Sequence, residues 1–579
     1  CTHEIARTMK RLFVSILTLA CAATVVAQST YTSTLAAKAA KGATIYGTVE
    51  CNGTPLEGVA VSDGYNIVKT DSKGVYNIVS EKRNGSVFIT LPSGYEAYTT
   101  GDDVVPQFWA HLTAEPTTAE RHDFNLRKVD NNRHVIVAVT DIHLANRLND
   151  VEVFTNSFVP SLTAEIEQYR KQGIPVYTIC MGDSSFDLYW YDYNYDIGDF
   201  RRTLAKAKYP TQFFNSMGNH DNDGATPYDE NTDFNATAKY RKAFGPTYYS
   251  FNLGKVHYIM LDNQLYINEP SPKAKKASGI VGARNNTPAI TREQMDWLAK
   301  DLATVTDPAT PIVIGLHSPI FRYKNYMDGE IDIRLPEEQQ QEFVALLKPF
   351  KSVNILSGHT HRNRCCYGYR DSSKPDIANI TEHTVVAVSG TRWHTSAFGG
   401  PQIGVTGEPA GCKIFPIDGT DIKWYFKPTE FDASTQFRCF DMNAVRDYSR
   451  TNGEVKVLLD HFPNRTNYAN FKKQNAVIVH VWDWAPDWKI SITENGKELE
   501  VIRRKLDHPH YMIAYDIPKR LWMFDLGSAS GKKKANNQHM FQAIASAPDT
   551  TIEVVVTDCF GNEYRQTMER PKPFHLHIK

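Results

Sequence analysis

Residues 212–221, QFFNSMGNHD, join an apolar run to a short polar turn. The run is typical of a strand buried on both faces, and Gly and Asn are common turn residues. Asn, His and Asp side chains then stand side by side directly after the strand. Such a turn is either an ordinary polar loop or part of a site that holds a metal and a phosphate. The rest of the chain decides between the two interpretations.

The same arrangement recurs elsewhere between residues 134 and 361. Apolar runs such as HVIVAVT (134–140) and PIVIGL (311–316) are each followed directly by an ionisable residue, here Asp141 and His317. The five polar groups, in chain order, are Asp141-Ile142-His143, Gly182-Asp183, Gly218-Asn219-His220-Asp221, His317 and Gly358-His359-Thr360-His361. A single GD or GHxH is weak evidence, because such turns occur by chance. Five groups in this order, each at the end of a predicted strand, form a specific signal.

Helical patterns alternate with the apolar runs. FVPSLTAEIEQYRKQG (158–173) has apolar residues at helical spacing, and TREQMDWLAKDL (291–302) opens with a capping box formed by Thr291 and Gln294. Alternating strands and helices predict an α/β domain with polar ligands at the carboxyl ends of its strands. The predicted fold class is therefore α/β, with a β-rich domain on either side.

The chain divides into four predicted segments. Short alternating strands broken by Asn-Gly and Pro turns predict an N-terminal β-sandwich. The helical pattern fades after residue 419, and Asn495-Gly496 is typical of a hairpin turn. The segments are upstream residues with a signal peptide (1–27), the N-terminal β-sandwich (42–129), the α/β domain (130–419) and a C-terminal β-rich domain (420–579).

The first residues and the overall charge bear on location and partners. MKRLFVSILTLACAATVVAQS (9–29) has a basic start, an apolar stretch and a predicted cleavage point after Ala27. It predicts a secreted or periplasmic protein with no spanning segment after signal removal, and attachment as a lipoprotein through Cys21 is an alternative.

The 64 basic residues are balanced by 65 acidic ones, so binding to a nucleic-acid scaffold is not expected.

The composition of the five groups suits a pair of divalent metal ions. Two ions about 3.5–4 Å apart can clamp a phosphoryl group, with a hydroxide between them as the nucleophile. Such a site needs one carboxylate that can bridge the ions, together with imidazole and oxygen ligands. This mixture favours Mn, Fe or Zn over a water-rich Mg site.

The motifs D-x-H, GD, GNHD, H and GHxH resemble those of the calcineurin-like metallophosphoesterase superfamily, over residues 141–361. The arrangement with flanking β-domains is similar to that of secreted enzymes from Bacteroides-like bacteria. The resemblance implies a central β-sandwich flanked by helices, with a dinuclear metal site at its strand ends. It also implies hydrolysis of phosphate esters.

The resemblance assigns a role to each residue of the motifs. One ion would be held by Asp141, His143, Asp183 and His361. The other would be held by Asp183, Asn219, His317 and His359, so that Asp183 bridges the two. His220 would act as general acid for the leaving alkoxide or stabilise its charge, and Asp221 would orient the His220 ring.

One position departs from a related branch of the superfamily. Purple acid phosphatases supply a ligating Tyr three residues after the GD aspartate, where this chain has Phe186. A purple ferric site is therefore not expected, and His143 supplies an imidazole instead. Three other residues are candidates for the surroundings of the site: Asp187 beside it, Arg362 as a donor to phosphate, and His394 in the pocket.

The predicted function is metal-dependent hydrolysis of a phosphate monoester or diester. The substrate would be a small molecule, or a phosphate carried by a glycan or lipid. The ligand set leaves mono- and diester specificity open, as well as the native metals and the oligomeric state. Two alternatives remain: a 5′-nucleotidase-like enzyme, and a surface glycan-binding protein whose phosphoesterase domain is inactive.

Overall fold

The computed structural model describes residues 31–272, 274, 278–325, 330–369, 375–388, 402–461, 468–525 and 537–576. The predicted signal peptide within residues 1–27 and the candidate His394 lie outside these ranges. Within them, no helix has both the length and the apolar character needed to span a membrane. The cysteines in these ranges are free thiols.

The N-terminal segment forms two β-sheets, as predicted. The six-stranded sheet contains Ile45–Cys51, Thr54–Pro55, Val75–Ile78, Tyr95–Ala97, Glu120–Arg121 and Phe124–Lys128. The four-stranded sheet contains Ala60–Ser62, Ile67–Lys69, Ser86–Ile89 and Trp109–His111. This segment shares a core with the next domain: Phe88 packs 6.1 Å from Trp297, whose indole N–H donates to Ser62 Oγ at 3.1 Å.

The central domain contains two six-stranded sheets. Sheet A contains Arg133–Val139, Val176–Cys180, Gln212–Asn215, Gly411–Asp418, Asp421–Ile422 and Tyr425–Pro428. Sheet B contains Tyr249–Leu253, Val256–Met260, Ile312–Gly315, Val353–Ser357, Arg364–Tyr367 and Ile380–Thr384. The first three strands of sheet A are parallel to each other, and so are four strands of sheet B. Their carboxyl ends carry the polar groups of the sequence motifs, so the fold gathers these groups at one edge.

Helices flank the two sheets. The main ones are Val159–Arg170, Ile197–Lys206, Thr232–Ala236, Ala238–Phe244, Arg292–Leu302 and Glu337–Leu347. The predicted start at Thr291 is correct, since its side chain accepts the Gln294 N–H. The Gln294 side chain does not complete the capping box, because its amide pairs with the backbone of Asp262. The predicted α/β fold class is confirmed.

The C-terminal segment holds two four-stranded sheets together with more helix than the sequence pattern predicts. The sheets contain Phe437–Asp441, Ala476–Val481, Ile502–Leu506 and Asn537–Ile544, and Lys489–Glu494, Lys497–Glu498, Ile552–Thr557 and Glu563–Met568. The main helices are Met442–Thr451, Gly453–His461 and Ile517–Asp525. The first forms because Asp441 caps its N-terminus and Met442, Val445 and Ser449 bury one face.

Sheet A extends into the segment predicted as the C-terminal domain. Strand Tyr425–Pro428 pairs with Gly411–Asp418, so sheet A continues past the predicted boundary at residue 419. The two parts are joined by a buried ion pair, in which Lys413 Nζ of sheet A lies 2.9 Å from Asp483 Oδ1. The side chains are 0% and 2% exposed.

We expect Lys413→Met to destabilise the fold by about 3–5 kcal/mol, because it leaves the Asp483 carboxylate buried without its partner. Urea titration followed by tryptophan fluorescence measures the loss. Lys423→Met is the control, since Lys423 is 59% exposed and lies 3.8 Å from Asp421; it should change stability by less than about 1 kcal/mol. Equal effects of the two substitutions would contradict the prediction.

Candidate active site

The seven predicted metal ligands converge at the carboxyl ends of the strands of sheets A and B. Their His and Asp members form two groups, and within each group the ligand atoms lie within 4.8 Å of one another. One group consists of Asp141, His143 and His361, and the other of Asp183, His317 and His359. The sequence motifs, separated by up to about two hundred residues, are therefore brought into one site.

The first group is arranged around Asp141. His361 Nε2 lies 3.1 Å from Asp141 Oδ1, and His143 Nε2 lies 3.5 Å from the same oxygen. The two imidazole nitrogens are 3.2 Å apart. The other carboxylate oxygen, Asp141 Oδ2, accepts the His359 N–H at 2.7 Å and the Thr140 hydroxyl at 2.9 Å. These two bonds fix the carboxylate, while Oδ1 faces the imidazoles.

The second group includes the amide of Asn219. Asn219 Oδ1 lies 2.9 Å from His359 Nδ1 and 3.1 Å from His317 Nε2. The imidazole nitrogens of His317 and His359 are 3.2 Å apart. His317 Nδ1 lies 2.7 Å from the carbonyl oxygen of Met181 and donates to it, because a carbonyl can only accept. Nε2 of His317 is thereby turned toward the group.

Asp183 connects the two groups through a single oxygen atom. Its Oδ2 lies 3.2 Å from His317 Nε2 and 3.7 Å from His143 Nε2. Its Oδ1 accepts the backbone N–H of His220 at 2.7 Å, which holds the carboxylate in this orientation. One carboxylate oxygen thus faces both groups, as a bridging ligand would.

Five of the seven residues adopt a left-handed backbone conformation that residues other than glycine rarely adopt. The φ angles are 53° for Asp141, 52° for His143, 52° for Asp183, 63° for His359 and 56° for His361. Such conformations cost about 1–3 kcal/mol each and cluster at functional sites. The D-x-H and H-x-H pairs both have this conformation at their first and third residues. The shared geometry turns the side chains of both pairs into the site, where Asp141 and His143 join one group and His359 and His361 join different groups.

The glycine of the GNHD motif provides space rather than an unusual φ angle. A Cβ atom on Gly218 would lie 2.1 Å from the backbone nitrogen of Asp183 and 2.2 Å from its Oδ1. Gly182 and Gly358 are equally confined, against the backbone of Gly218 and the Thr140 hydroxyl respectively. The motifs can approach each other only because these positions lack side chains.

We expect Gly218→Ala to lower kcat/KM by about 10²-fold or more, because the new methyl group displaces Asp183 and with it the shared oxygen. Initial rates of phosphate-ester hydrolysis, together with metal content, measure the effect. Gly453→Ala is the matched control, since a Cβ there meets nothing within 4 Å. Full activity and full metal content in Gly218→Ala would show that the close approach is not needed.

The residues fit a pair of divalent cations. Two pairs of imidazole nitrogens face each other at 3.2 Å, an arrangement that a cation or a proton between the rings stabilises. Asp141 Oδ1 is buried and accepts no hydrogen bond from a backbone N–H or a hydroxyl in the described ranges. Burial raises the pKa values of Asp141 and Asp183, but the surrounding imidazoles outweigh it and bring both below the usual range. Both carboxylates are therefore ionised and available as ligands.

His220 lies beside the two groups rather than within them. Its Nδ1 is 2.8 Å from Asp187 Oδ1 and donates to that carboxylate, which also accepts two hydrogen bonds from Arg284. Burial lowers the pKa of His220, but the Asp183 and Asp187 carboxylates outweigh this and raise it overall. The Phe186 ring packs 4.4 Å from the imidazole. The imidazole is thus held in place with Nε2 left for a ligand.

The prediction that Asp221 orients His220 is wrong. The Asp221 carboxylate accepts the backbone N–H groups of Ser184, Ser185 and Gly218 at 3.0–3.2 Å and the Ser185 hydroxyl at 3.0 Å. It therefore ties the GD and GNHD loops together, and Asp187 holds the imidazole instead. Arg284 was not predicted, because no strand-end motif marks the segment that carries it.

Arg362 directly follows the ligand His361, at the rim of the site. Burial and the neighbouring Arg364 lower its pKa, while Glu408 and Tyr511 raise it. Among the described residues, none forms a hydrogen bond or ion pair with its guanidinium group. Its contact with a phosphate stays a prediction.

Comparison with protein families covers most of the chain. Residues 134–363 match the model described as calcineurin-like phosphoesterase. Residues 43–129 match the N-terminal model of calcineurin-like phosphoesterase, and residues 382–564 match the corresponding C-terminal model. The chain belongs to the calcineurin-like phosphoesterase family. The predicted resemblance to calcineurin-like metallophosphoesterases is thereby confirmed, together with the two companion domains, whereas the similarity to secreted bacterial enzymes stays a prediction.

Individual relatives of this calcineurin-like phosphoesterase are distant. Purple acid phosphatase 15 of Arabidopsis thaliana is 25% identical over 227 residues, which cover 38% of this chain and 36% of the relative. The chain thus spans about a third of the length of this curated relative. Among solved structures, a purple acid phosphatase from yellow lupin seeds is 11% identical with a TM-score of 0.32, covering 65% of this chain and 67% of its own. A 5′-nucleotidase from Candida albicans is 12% identical with a TM-score of 0.24, covering 45% and 47%.

Proposed function

We propose that this calcineurin-like phosphoesterase hydrolyses phosphate esters at a centre of two divalent metal ions. The observation that carries the proposal is the position of Asp183, whose Oδ2 lies 3.2 Å from His317 Nε2 and 3.7 Å from His143 Nε2. Two ligand groups that share one carboxylate oxygen suit a pair of ions better than one ion or a purely structural cluster.

The ligands divide between the ions according to the two groups. Asp141, His143 and His361 would hold one ion, and Asn219, His317 and His359 the other, with Asp183 shared. The mixture of imidazole, carboxylate and amide oxygen suits Mn, Fe or Zn. When bound, the ions would activate a water molecule as the nucleophile and neutralise charge on the phosphoryl oxygens.

The residues of the chain have separate tasks in this reaction. His220, charged and aligned by Asp187, would donate a proton from Nε2 to the leaving oxygen of the substrate. Arg284 pairs with the same carboxylate and holds it in place against the ring. Asp221 keeps the GD and GNHD loops in register, so that His220 and Asp183 face the same substrate.

We also propose that the enzyme is secreted or periplasmic, on the basis of the signal-like segment 9–29. Its substrate would be a small phosphate ester or a phosphate carried by a glycan or lipid. The ligand set does not determine whether the enzyme prefers monoesters, diesters or 5′-nucleotides. Assays with each kind of ester determine this specificity.

The test is hydrolysis of p-nitrophenyl phosphate, bis(p-nitrophenyl) phosphate and a 5′-nucleotide by the purified full chain. Each ester is tested with added Mn²⁺, Fe²⁺ or Zn²⁺, and metal content is measured by elemental analysis. We expect close to two ions per chain, and activity that EDTA abolishes and a divalent ion restores. Cleavage of none of the esters, with no copurifying metal, would favour a binding protein with an inactive domain and overturn the proposal.

A further inference from the structure

Three buried histidines are packed together in the C-terminal part of the chain. His480, His508 and His510 are 0%, 0% and 4% exposed. The ring centroids of His480 and His508 are 4.9 Å apart, and those of His508 and His510 are 5.6 Å apart. We refer to these three residues as the histidine cluster. They lie outside both ligand groups of the active site.

The hydrogen bonds of the cluster suit neutral imidazole rings. His508 Nδ1 accepts the backbone N–H of Tyr511 at 3.5 Å, so this nitrogen carries a lone pair. His510 Nε2 donates to the carbonyl oxygen of His575 at 2.8 Å, and its Nδ1 has no partner among the described residues. Neither ring nitrogen of His480 has a partner there. A proton added to any of the rings would therefore create a buried N–H group without an acceptor, which is costly.

The cations around the cluster make protonation less favourable still. Burial lowers the pKa of each of the three rings, and Arg438 lowers it further. Lys572 acts in the same direction on His510, and His539 does so on His480. The pKa of His510 is lowered to about 3, and those of the other two rings lie well below the usual range. The cluster is therefore neutral at pH 7.

The carboxylates on the adjoining elements do not offset these cations. Asp441 is paired with Arg570, whose Nε lies 3.3 Å from Asp441 Oδ2. Burial raises the pKa of Glu408 to about 7, so this group carries little charge below neutral pH. Asp507 is partly exposed, and water screens its charge. Within the part of the chain that the structure describes, no carboxylate forms an ion pair with the cluster.

The His508 ring is in direct contact with a turn that leads to the active site. A Cβ atom on Gly407 would lie 2.1 Å from His508 Cδ2, so the ring lies against the backbone of the turn. The Gly407 N–H donates to the carbonyl oxygen of Gly404 at 3.0 Å and closes the turn. A Cβ atom on Gly404 would lie 3.5 Å from the carbonyl oxygen of His361. The 404–407 turn thus connects the cluster to the backbone of a predicted metal ligand.

The same histidine caps the helical residues 509–525. Tyr511 and Tyr515 of this helical segment pack with Ile403, which directly precedes the turn. The lone pair on His508 Nδ1 therefore supports the start of the helical segment while the ring supports the turn. Protonation of Nδ1 would replace the acceptor by a second donor facing the Tyr511 N–H.

We propose that the histidine cluster is an acid-sensitive switch, in which proton uptake by the rings releases the 404–407 turn and the helical residues 509–525 from the active site. A ring released to water regains a pKa near the usual value of about 6.5, so the open form binds protons that the closed form excludes. The closed form therefore has its full stability above about pH 6.5 and loses it as the pH falls below that value. Each ring favours the open form by up to about tenfold per pH unit.

Amide hydrogen exchange of the full chain, followed by mass spectrometry, tests the switch independently of the proposed function. Protection of segments 402–410 and 509–516 is compared at pH 7.5 and pH 5.0, after correction for the intrinsic exchange rate. We expect it to fall by about 10²-fold or more at pH 5.0, while the strand Arg133–Val139 keeps its protection. Unchanged protection of the two segments, or an equal loss in the strand through general acid unfolding, would overturn the proposal.

His508→Asn removes the ring that takes up a proton but retains an acceptor, because Asn is a preferred N-cap residue. At pH 5.0 we expect the two segments of this variant to be about tenfold or more better protected than in the parent. His575→Asn is the matched control, since its side chain is exposed and its backbone carbonyl still accepts from His510; it should behave like the parent. Equal loss of protection in His508→Asn and the parent would overturn the proposal.

Exchange of the imidazole C2 protons in the parent measures the pKa of each ring without any substitution. We expect values below about 5 for the three rings of the cluster in the closed form. This measurement decides the question even if His508→Asn does not fold, which its melting temperature at pH 7.5 reveals. A pKa near the usual value at His508 would show that its ring takes up a proton without opening the contacts, and would overturn the proposal.

Discussion

Asp183→Asn is expected to abolish hydrolysis of every ester, with a loss of about 10³-fold or more in kcat/KM, or about 4 kcal/mol of transition-state stabilisation. The substitution removes a charge from the one oxygen that faces both ligand groups. An amide at this position retains the volume but bridges two cations poorly. Elemental analysis of the purified variant should therefore show that both ions are lost or weakly held. Initial rates with Mn²⁺ present measure the catalytic effect.

Asp301→Asn is the control for the loss of any buried carboxylate. Asp301 is 0% exposed, and its oxygens lie 2.6 Å from Ser250 Oγ and 2.8 Å from His257 Nε2. It lies outside both ligand groups, so its replacement should alter stability while metal content stays near that of the parent. An Asp183→Asn variant that keeps two ions and full activity would show that Asp183 does not bridge.

His220→Ala is expected to slow hydrolysis of alkyl phosphates by about 10²–10⁴-fold, because their leaving alkoxides need a proton. p-Nitrophenolate leaves without protonation, so p-nitrophenyl phosphate should lose less than about tenfold in kcat. The backbone N–H that His220 donates to Asp183 is retained in the alanine variant, which limits damage to the ligands. The comparison of kcat for the two esters is the measurement.

Two neighbouring carboxylates provide the controls for His220. Asp187→Asn should reproduce the dependence on leaving group with a smaller loss, of about 10–100-fold, because the imidazole loses its charged partner. Asp221→Asn should slow hydrolysis of both esters equally. The NH2 group of the new amide cannot accept hydrogen bonds from the backbone N–H groups that bind this carboxylate in the parent. Equal losses on both esters in His220→Ala would show that the ring supports the site without protonating the leaving group.

The sequence predicted the part of the fold that depends on buried strands and on the residues that end them. Runs such as residues 134–140 predict strands that are buried on both faces, because apolar residues without alternation occupy both faces of the strand. The pairing of Tyr425–Pro428 with Gly411–Asp418 was not predicted, because the fading helical pattern placed a boundary at residue 419, between the two strands. The helix Gly453–His461 was missed because its first residues, Gly453 to Val457, alternate as in a strand.

In the site, the sequence named the residues but not the contacts that hold them. The seven predicted ligands lie together because parallel strands share one edge. The resemblance assigned Asp221 to His220, yet successive side chains on a tight turn point in different directions. The ring instead meets Asp187 from another loop, which itself pairs with Arg284 from a third. Contacts between loops depend on backbone geometry that motif spacing does not encode.

The pairing within sheet A has a consequence for how the protein is made. Strand Arg133–Val139, which leads into Asp141, is hydrogen-bonded on one side to Gly411–Asp418. The ribosome delivers the first of these strands long before the second. One edge of the strand Arg133–Val139 therefore stays unpaired until most of the polypeptide has been synthesised. A message truncated before codon 411 would yield a chain that contains every catalytic motif but cannot close the sheet that positions them.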